Sequence, residues 1–117
     1  EVCDAEGAFC QALLEGDTTY CRLPKEHWPK EWIKKGFRDP VVRLVRALYG
    51  HPDSGGYWEK HCESHLLSVG FTVIPNWRSS FYHPKLDLTL VVYVDDFALA
   101  ARSEDHTGLW KALRKAK

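Results

Sequence analysis

Asp95 and Asp96 stand side by side between two apolar runs, Leu88-Thr89-Leu90-Val91-Val92-Tyr93-Val94 and Phe97-Ala98-Leu99-Ala100-Ala101. The runs have strand length and strand composition, and the acids fall where a tight turn should sit. Residues 88–101 therefore predict a β-hairpin tipped by two carboxylates. Adjacent negative charges repel, and apolar flanks lower the local dielectric and sharpen the repulsion. A divalent cation removes that cost, since magnesium is held by one or two carboxylates with its other positions left to water and substrate phosphates. Asp is also a common turn residue, so the stretch by itself reads more readily as a plain polar turn.

Asp4 is a third acid at an element boundary. Val2 to Asp4 reads as the end of a strand, and residues 5–14 as a helix with Ala5, Ala8, Phe9, Ala12 and Leu13 at helical spacing. The junction lets the Asp4 carboxylate either cap the helix or serve a site. Gly16 is the expected helix stop.

The elements between these acids follow from pattern. Residues 18–23 predict a strand, and residues 24–40, with three prolines and Gly36, a long loop. Residues 22–46 hold eight Lys/Arg against three Asp/Glu, either a contact for nucleic-acid phosphates or a solvated loop. Trp28 and Trp32 in this stretch read as packing residues. Residues 41–48 predict a strand, 49–56 a turn-rich link, and 57–69 a helix capped by Asp53 or Ser54 and stopped by Gly70. His61, Cys62 and His65 have no second ligand pair at zinc spacing. Short strands at 71–74 and 79–83 precede the hairpin. Ser103 is the expected cap of a final helix, 104–115, with Leu109, Trp110 and Leu113 as its apolar stripe. Lys111, Arg114, Lys115 and Lys117 stand at the end the helix dipole favours for cations.

The chain has 117 residues, 44% hydrophobic and 27% charged, the composition of one globular domain with a modest core. Its formal net charge is zero, which gives no global sign of nucleic-acid binding. No apolar run is long enough to cross a membrane, so no membrane partner is expected. Cys3, Cys10, Cys21 and Cys62 are irregularly spaced and read as reduced intracellular thiols. The absence of methionine and the abrupt start at Glu1 suggest a piece of a longer polypeptide.

Taken together, Asp4-Ala5-Glu6-Gly7-Ala8-Phe9, Ala47-Leu48-Tyr49-Gly50, Trp58, Leu67-Ser68-Val69-Gly70-Phe71 and Tyr93-Val94-Asp95-Asp96 resemble, in order and spacing, the reverse transcriptase domain of copia-type retrotransposon Pol polyproteins. The resemblance covers most of the chain, from Val2 to Ala101. It implies an α+β fold, a polymerase palm-like antiparallel sheet with helices packed on one face. Residues 1–117 would form a single partial domain, with fingers and thumb largely missing. It implies RNA-directed DNA synthesis with two Mg2+ ions, or Mn2+ in their place. Asp4 and Asp95 would be the principal ligands and Asp96 a third, less direct one. Two such ions sit about 3.5–4 Å apart and serve the primer hydroxyl and the nucleotide phosphates.

By the same resemblance Phe9 lies under the incoming sugar, where its ring selects against a ribose hydroxyl. Ala5 and Asp53 border the nucleotide, and Tyr93 and Val94 approach the primer end. The implied partners are an RNA template, a DNA primer, deoxynucleoside triphosphates and the remainder of the Pol polyprotein. The implied location is intracellular, in a cytoplasmic particle or the nucleus. One loop departs from the family: His51-Pro52-Asp53-Ser54-Gly55-Gly56 replaces the usual Leu-Lys-Gln, small residue, Pro-Arg, and so removes basic groups that would approach nucleotide and template. Two other classes compete. One is a catalytically inactive retroelement remnant or nucleic-acid-binding module on the same fold, which has no use for converging acids. The other is a magnesium-dependent nucleotide cyclase, which would lack a template groove.

Overall fold

The computed structural model describes residues 1–102, 104 and 106–115. It is a mixed helix-and-strand domain built on a five-stranded antiparallel sheet. The strands are β1 (Val2–Asp4), β4 (Thr72–Val73), β5 (Ser80–His83), β6 (Leu88–Tyr93) and β7 (Asp96–Ala100), in the spatial order β1-β7-β6-β5-β4. A separate two-stranded sheet pairs β2 (Tyr20–Cys21) with β3 (Val42–Arg43). The helices are α1 (Ala8–Gln11), α2 (Lys30–Lys34), α3 (Ser54–Ser68) and α4 (His106–Lys115).

Strand alternation assigns the faces. Leu88, Leu90 and Val92 of β6, Phe81 of β5 and Leu99 of β7 are buried together with Trp58, Cys62 and Leu66 of α3 and Leu109 of α4. Their alternates Val91 and Tyr93 are exposed, and Val91 pairs with Ala98, which pairs with Val2. One face of the sheet thus carries the core, and the other is open. Burial within that core pushes the Cys62 thiol up to about 12.

The long helix and its stop match the sequence expectation. α3 starts three residues early, running through Gly55 and Gly56. Asp53 occupies its N-cap position without a side-chain cap, and the buried Ser54 hydroxyl instead donates to the Leu48 carbonyl at 2.7 Å. At the other end Gly70 adopts φ 102°. The amides of Gly70 and Phe71 return to the carbonyls of Leu67 and Leu66, which satisfies the last turn. A side chain at Gly70 would collide with the His83 ring 2.8 Å away.

Three expectations need correction. The helix foreseen at 5–14 is a single turn, because Gly7 enters it with φ 59° and Ala12 leaves it extended. Leu13 then bridges Arg46, with amide bonds from Leu14 to Val45 and from Ala47 to Ala12. Consequently the strand foreseen at 41–48 shrinks to Val42–Arg43 plus that bridge. The loop foreseen at 24–40 holds a helical turn at Lys25–His27 and the helix α2, each preceded by a proline at its N-cap position, Pro24 and Pro29. Trp32 packs tilted against Trp28 and edge-on against Phe37, and the Trp28 indole donates to the Leu23 carbonyl. The cap foreseen at Ser103 and the charge at Lys117 lie outside the described residues.

Candidate functional site

The β6–β7 hairpin closes with Tyr93 paired to Asp96, so its two-residue turn is Val94-Asp95 and Asp96 opens β7. Both acids were foreseen in the turn, but only Asp95 lies there. Val94 has φ 55°, the positive value a tight hairpin requires at its first turn residue. Glycine usually supplies that conformation, and a β-branched residue there is strained.

Two contacts hold the strained turn. The buried Trp58 indole, 4% exposed, donates its N–H to the Val94 carbonyl. The Ala5 amide donates to the Asp95 carbonyl at 2.7 Å, which ties the turn to the chain leaving β1. The Trp58 ring is itself braced edge-on by Phe97, centroids 6.5 Å apart.

Register delivers the third acid. β1 pairs with β7 so that Asp4 stands opposite Asp96, and both project on the open face. Carboxylate oxygens of Asp4, Asp95 and Asp96 all lie within 4.8 Å of one another. Asp4 and Asp96 are exposed and Asp95 is half-buried. Asp4 therefore does not cap a helix, since Gly7 holds the N-cap position of α1. Among the described residues no Lys, Arg or His forms an ion pair with any of the three.

The other site residues foreseen in the sequence fall into two groups. Ala5 touches the turn directly, and Tyr93 and Val94 are exposed beside the acids, Tyr93 at 77%. Phe9 is half-buried on α1 and stacks on Tyr49, centroids 4.4 Å apart with planes 18° from parallel. Asp53 sits at the start of α3, its amide bonded to His51 Nδ1 at 3.2 Å. Among the described residues no hydrogen bond or ion pair joins Asp53 to the acids. In the basic stretch, Arg22 makes a two-pronged pair with Asp39 at 2.8 and 3.0 Å, and Arg46 donates to the Gln11 carbonyl at 2.7 Å. Two of those cations are thus engaged within the chain.

Sequence reasoning missed the role of Trp58. A tryptophan on the apolar side of α3 is legible as core, but periodicity does not say which carbonyl its indole reaches.

Comparison with known proteins gives a distant relationship. The chain is 26% identical over 85 residues to the Transposon Ty1-DR4, Ty1-BL and TyH3 Gag-Pol polyproteins of Saccharomyces cerevisiae. The aligned part covers 72% of this chain and 5% of each polyprotein. No family model matches the chain, and no solved structure matches it. The similarity indicates a relationship to retrotransposon Gag-Pol polyproteins.

Proposed function

We propose that this chain is part of the palm of an RNA-directed DNA polymerase from a copia-type retrotransposon Pol polyprotein, with Asp4, Asp95 and Asp96 as its metal-binding carboxylates. The observation that carries this reading is the convergence of those three acids at one end of the open sheet face. The relationship to Gag-Pol polyproteins of Ty1, a copia-type element, supports the same origin.

The donor set fits Mg2+ or Mn2+: it is all carboxylate oxygen, and among the described residues no cationic side chain forms an ion pair with any of the three. When bound, such ions activate a primer 3′-hydroxyl and neutralise nucleotide phosphates. The chain's own contribution is placement. Paired backbones fix Asp4 against Asp96, and the turn holds the Asp95 carboxylate within 4.8 Å of both. The open face beside them leaves room for a primer terminus near Tyr93 and Val94, with template and nucleotide beyond. α3 and α4 pack against the opposite, core-bearing face of the sheet. A nucleic-acid-binding module has no such use for these acids, because three bare carboxylates repel phosphate.

Titration of the chain with Mn2+, with free ion read by electron paramagnetic resonance, tests the metal site. Binding is expected in the parent and a large loss in Asp95→Asn. Single-nucleotide extension of a DNA primer on an RNA template tests the chemistry. Short products that vanish in Asp95→Asn are expected, with little processive synthesis, because a neutral chain offers only part of a basic groove. Equal Mn2+ binding by parent and Asp95→Asn overturns the reading.

A further inference from the structure

We infer that Trp58 is a positioning residue for the carboxylate site. Its indole N–H holds the Val94 carbonyl and so keeps Asp95 aimed at Asp4 and Asp96. The inference rests on the reading of those acids as a metal site, and adds to it the device that maintains their geometry.

Three observations on different elements carry it. First, the turn does not hold itself: Val94 is β-branched and sits at φ 55°, where glycine is the residue of choice. Second, the only side chain among the described residues that hydrogen-bonds the Val94 or Asp95 backbone is Trp58. Third, Trp58 cannot easily look elsewhere. It is 4% exposed on α3, and its ring is fixed by Phe97, two residues beyond Asp95 on the same hairpin. A buried indole N–H needs an acceptor, so the bond is as necessary to the helix as to the turn. The Ala5 amide holds the next carbonyl, that of Asp95, from the β1 side. The turn is thereby pinned at consecutive peptide groups by a helix and by the residue that follows Asp4. Release of the Trp58 pin lets Val94 relax toward negative φ, which rotates the following peptide and swings the Asp95 carboxylate away from its partners.

The test separates this role from general packing. Trp58→Phe keeps an aromatic ring and removes the N–H. It is expected to weaken Mn2+ binding about tenfold, the scale seen when groups that orient metal ligands are removed. Cys62→Ala, one turn along the same buried helix face, is expected to lower the melting midpoint and leave Mn2+ affinity unchanged. Val94→Gly removes the strain that the indole holds. On that background Trp58→Phe should therefore cost much less affinity than on the parent.

A measurement on the parent chain needs no variant to fold. Of its five indole N–H signals, one is expected to exchange more slowly with solvent when Mg2+ is added, because metal and hydrogen bond stabilise the same turn. Parent-like Mn2+ affinity in a folded Trp58→Phe, with weak binding in Asp95→Asn, overturns the inference and leaves the metal site standing. Parent-like affinity in Asp95→Asn overturns both. Mg2+-independent exchange at all five indoles also overturns the inference.

Discussion

Asp4 and Asp96 are direct partners across the β1–β7 ladder, on the face of the sheet opposite α3 and α4. Two carboxylates set opposite each other in an antiparallel pair disfavour the fold unless something neutralises them. Mg2+ is therefore expected to stabilise the native chain by RT ln(1 + [L]/Kd), about 1.4 kcal/mol at ten times Kd. That raises the melting midpoint by a few degrees. Asp95→Asn and Asp4→Asn should each lose most of that response, and Asp4→Asn should also melt higher than the parent without metal. Equal Mg2+ shifts in parent and variants would mean that the acids form only a polar edge.

The stack of Phe9 on Tyr49 joins α1 to the segment that leads into α3. Near-parallel rings at this separation contribute about 0.5–1.5 kcal/mol beyond the area they bury. A double-mutant cycle with Phe9→Leu and Tyr49→Leu, read by urea unfolding, should return a coupling in that range. A coupling near zero would show that the rings do not stack in solution. The stack has a bearing on the sugar-gate role that the family resemblance implies for Phe9, since a ring braced by Tyr49 resists displacement.

The two faces of β6 should respond very differently to the same truncation. Leu90 is 0% exposed, between its partners on the sheet and α3, whereas Val91 is 43% exposed on the open face. Leu90→Ala is expected to cost about 2–5 kcal/mol through lost burial and a cavity, and Val91→Ala well under half of that. Comparable losses from both would mean that the open face is covered.

What the sequence discloses and what it hides divide along the range of the interaction. The 88–101 hairpin and the Gly70 stop were legible because alternation and glycine chemistry are local. The one-turn α1 was not: its apolar spacing is helical, yet Ala12 and Leu13 gain more by bridging to 45–47, a partner set far along the chain. The proline-rich stretch hid α2 because prolines signal loops, while here Pro29 occupies the N-cap position just ahead of the helix. At the site, Asp95 and Asp96 announce themselves by adjacency. Asp4 joins them through the register of β1 on β7, which only the resemblance to a known family anticipated.

His106 ties the start of the chain to α4. Its Nδ1 lies 2.6 Å from Glu1 Oε2 and its Nε2 lies 3.0 Å from the Ala101 carbonyl. Both partners only accept, so both ring nitrogens must donate, and that requires the imidazolium. The Ala101 carbonyl first, and Glu1 next, raise the His106 pKa above the ordinary histidine value. The hydrogen bonds of Trp110 and then His106 lower that of Glu1. The histidine's contribution is complete below its unfolded pKa, about 6.5, and is lost as pH rises through the higher folded value. The glutamate's is complete above its unfolded pKa, about 4.3, and is lost as pH falls through the lower folded value. The contact therefore stabilises most between about pH 4.3 and 6.5. Melting midpoints of parent and His106→Gln are expected to differ most in that window and to converge as pH rises through the raised histidine value. A gap that stays constant across the whole range would assign the effect of His106 to packing and not to its charge.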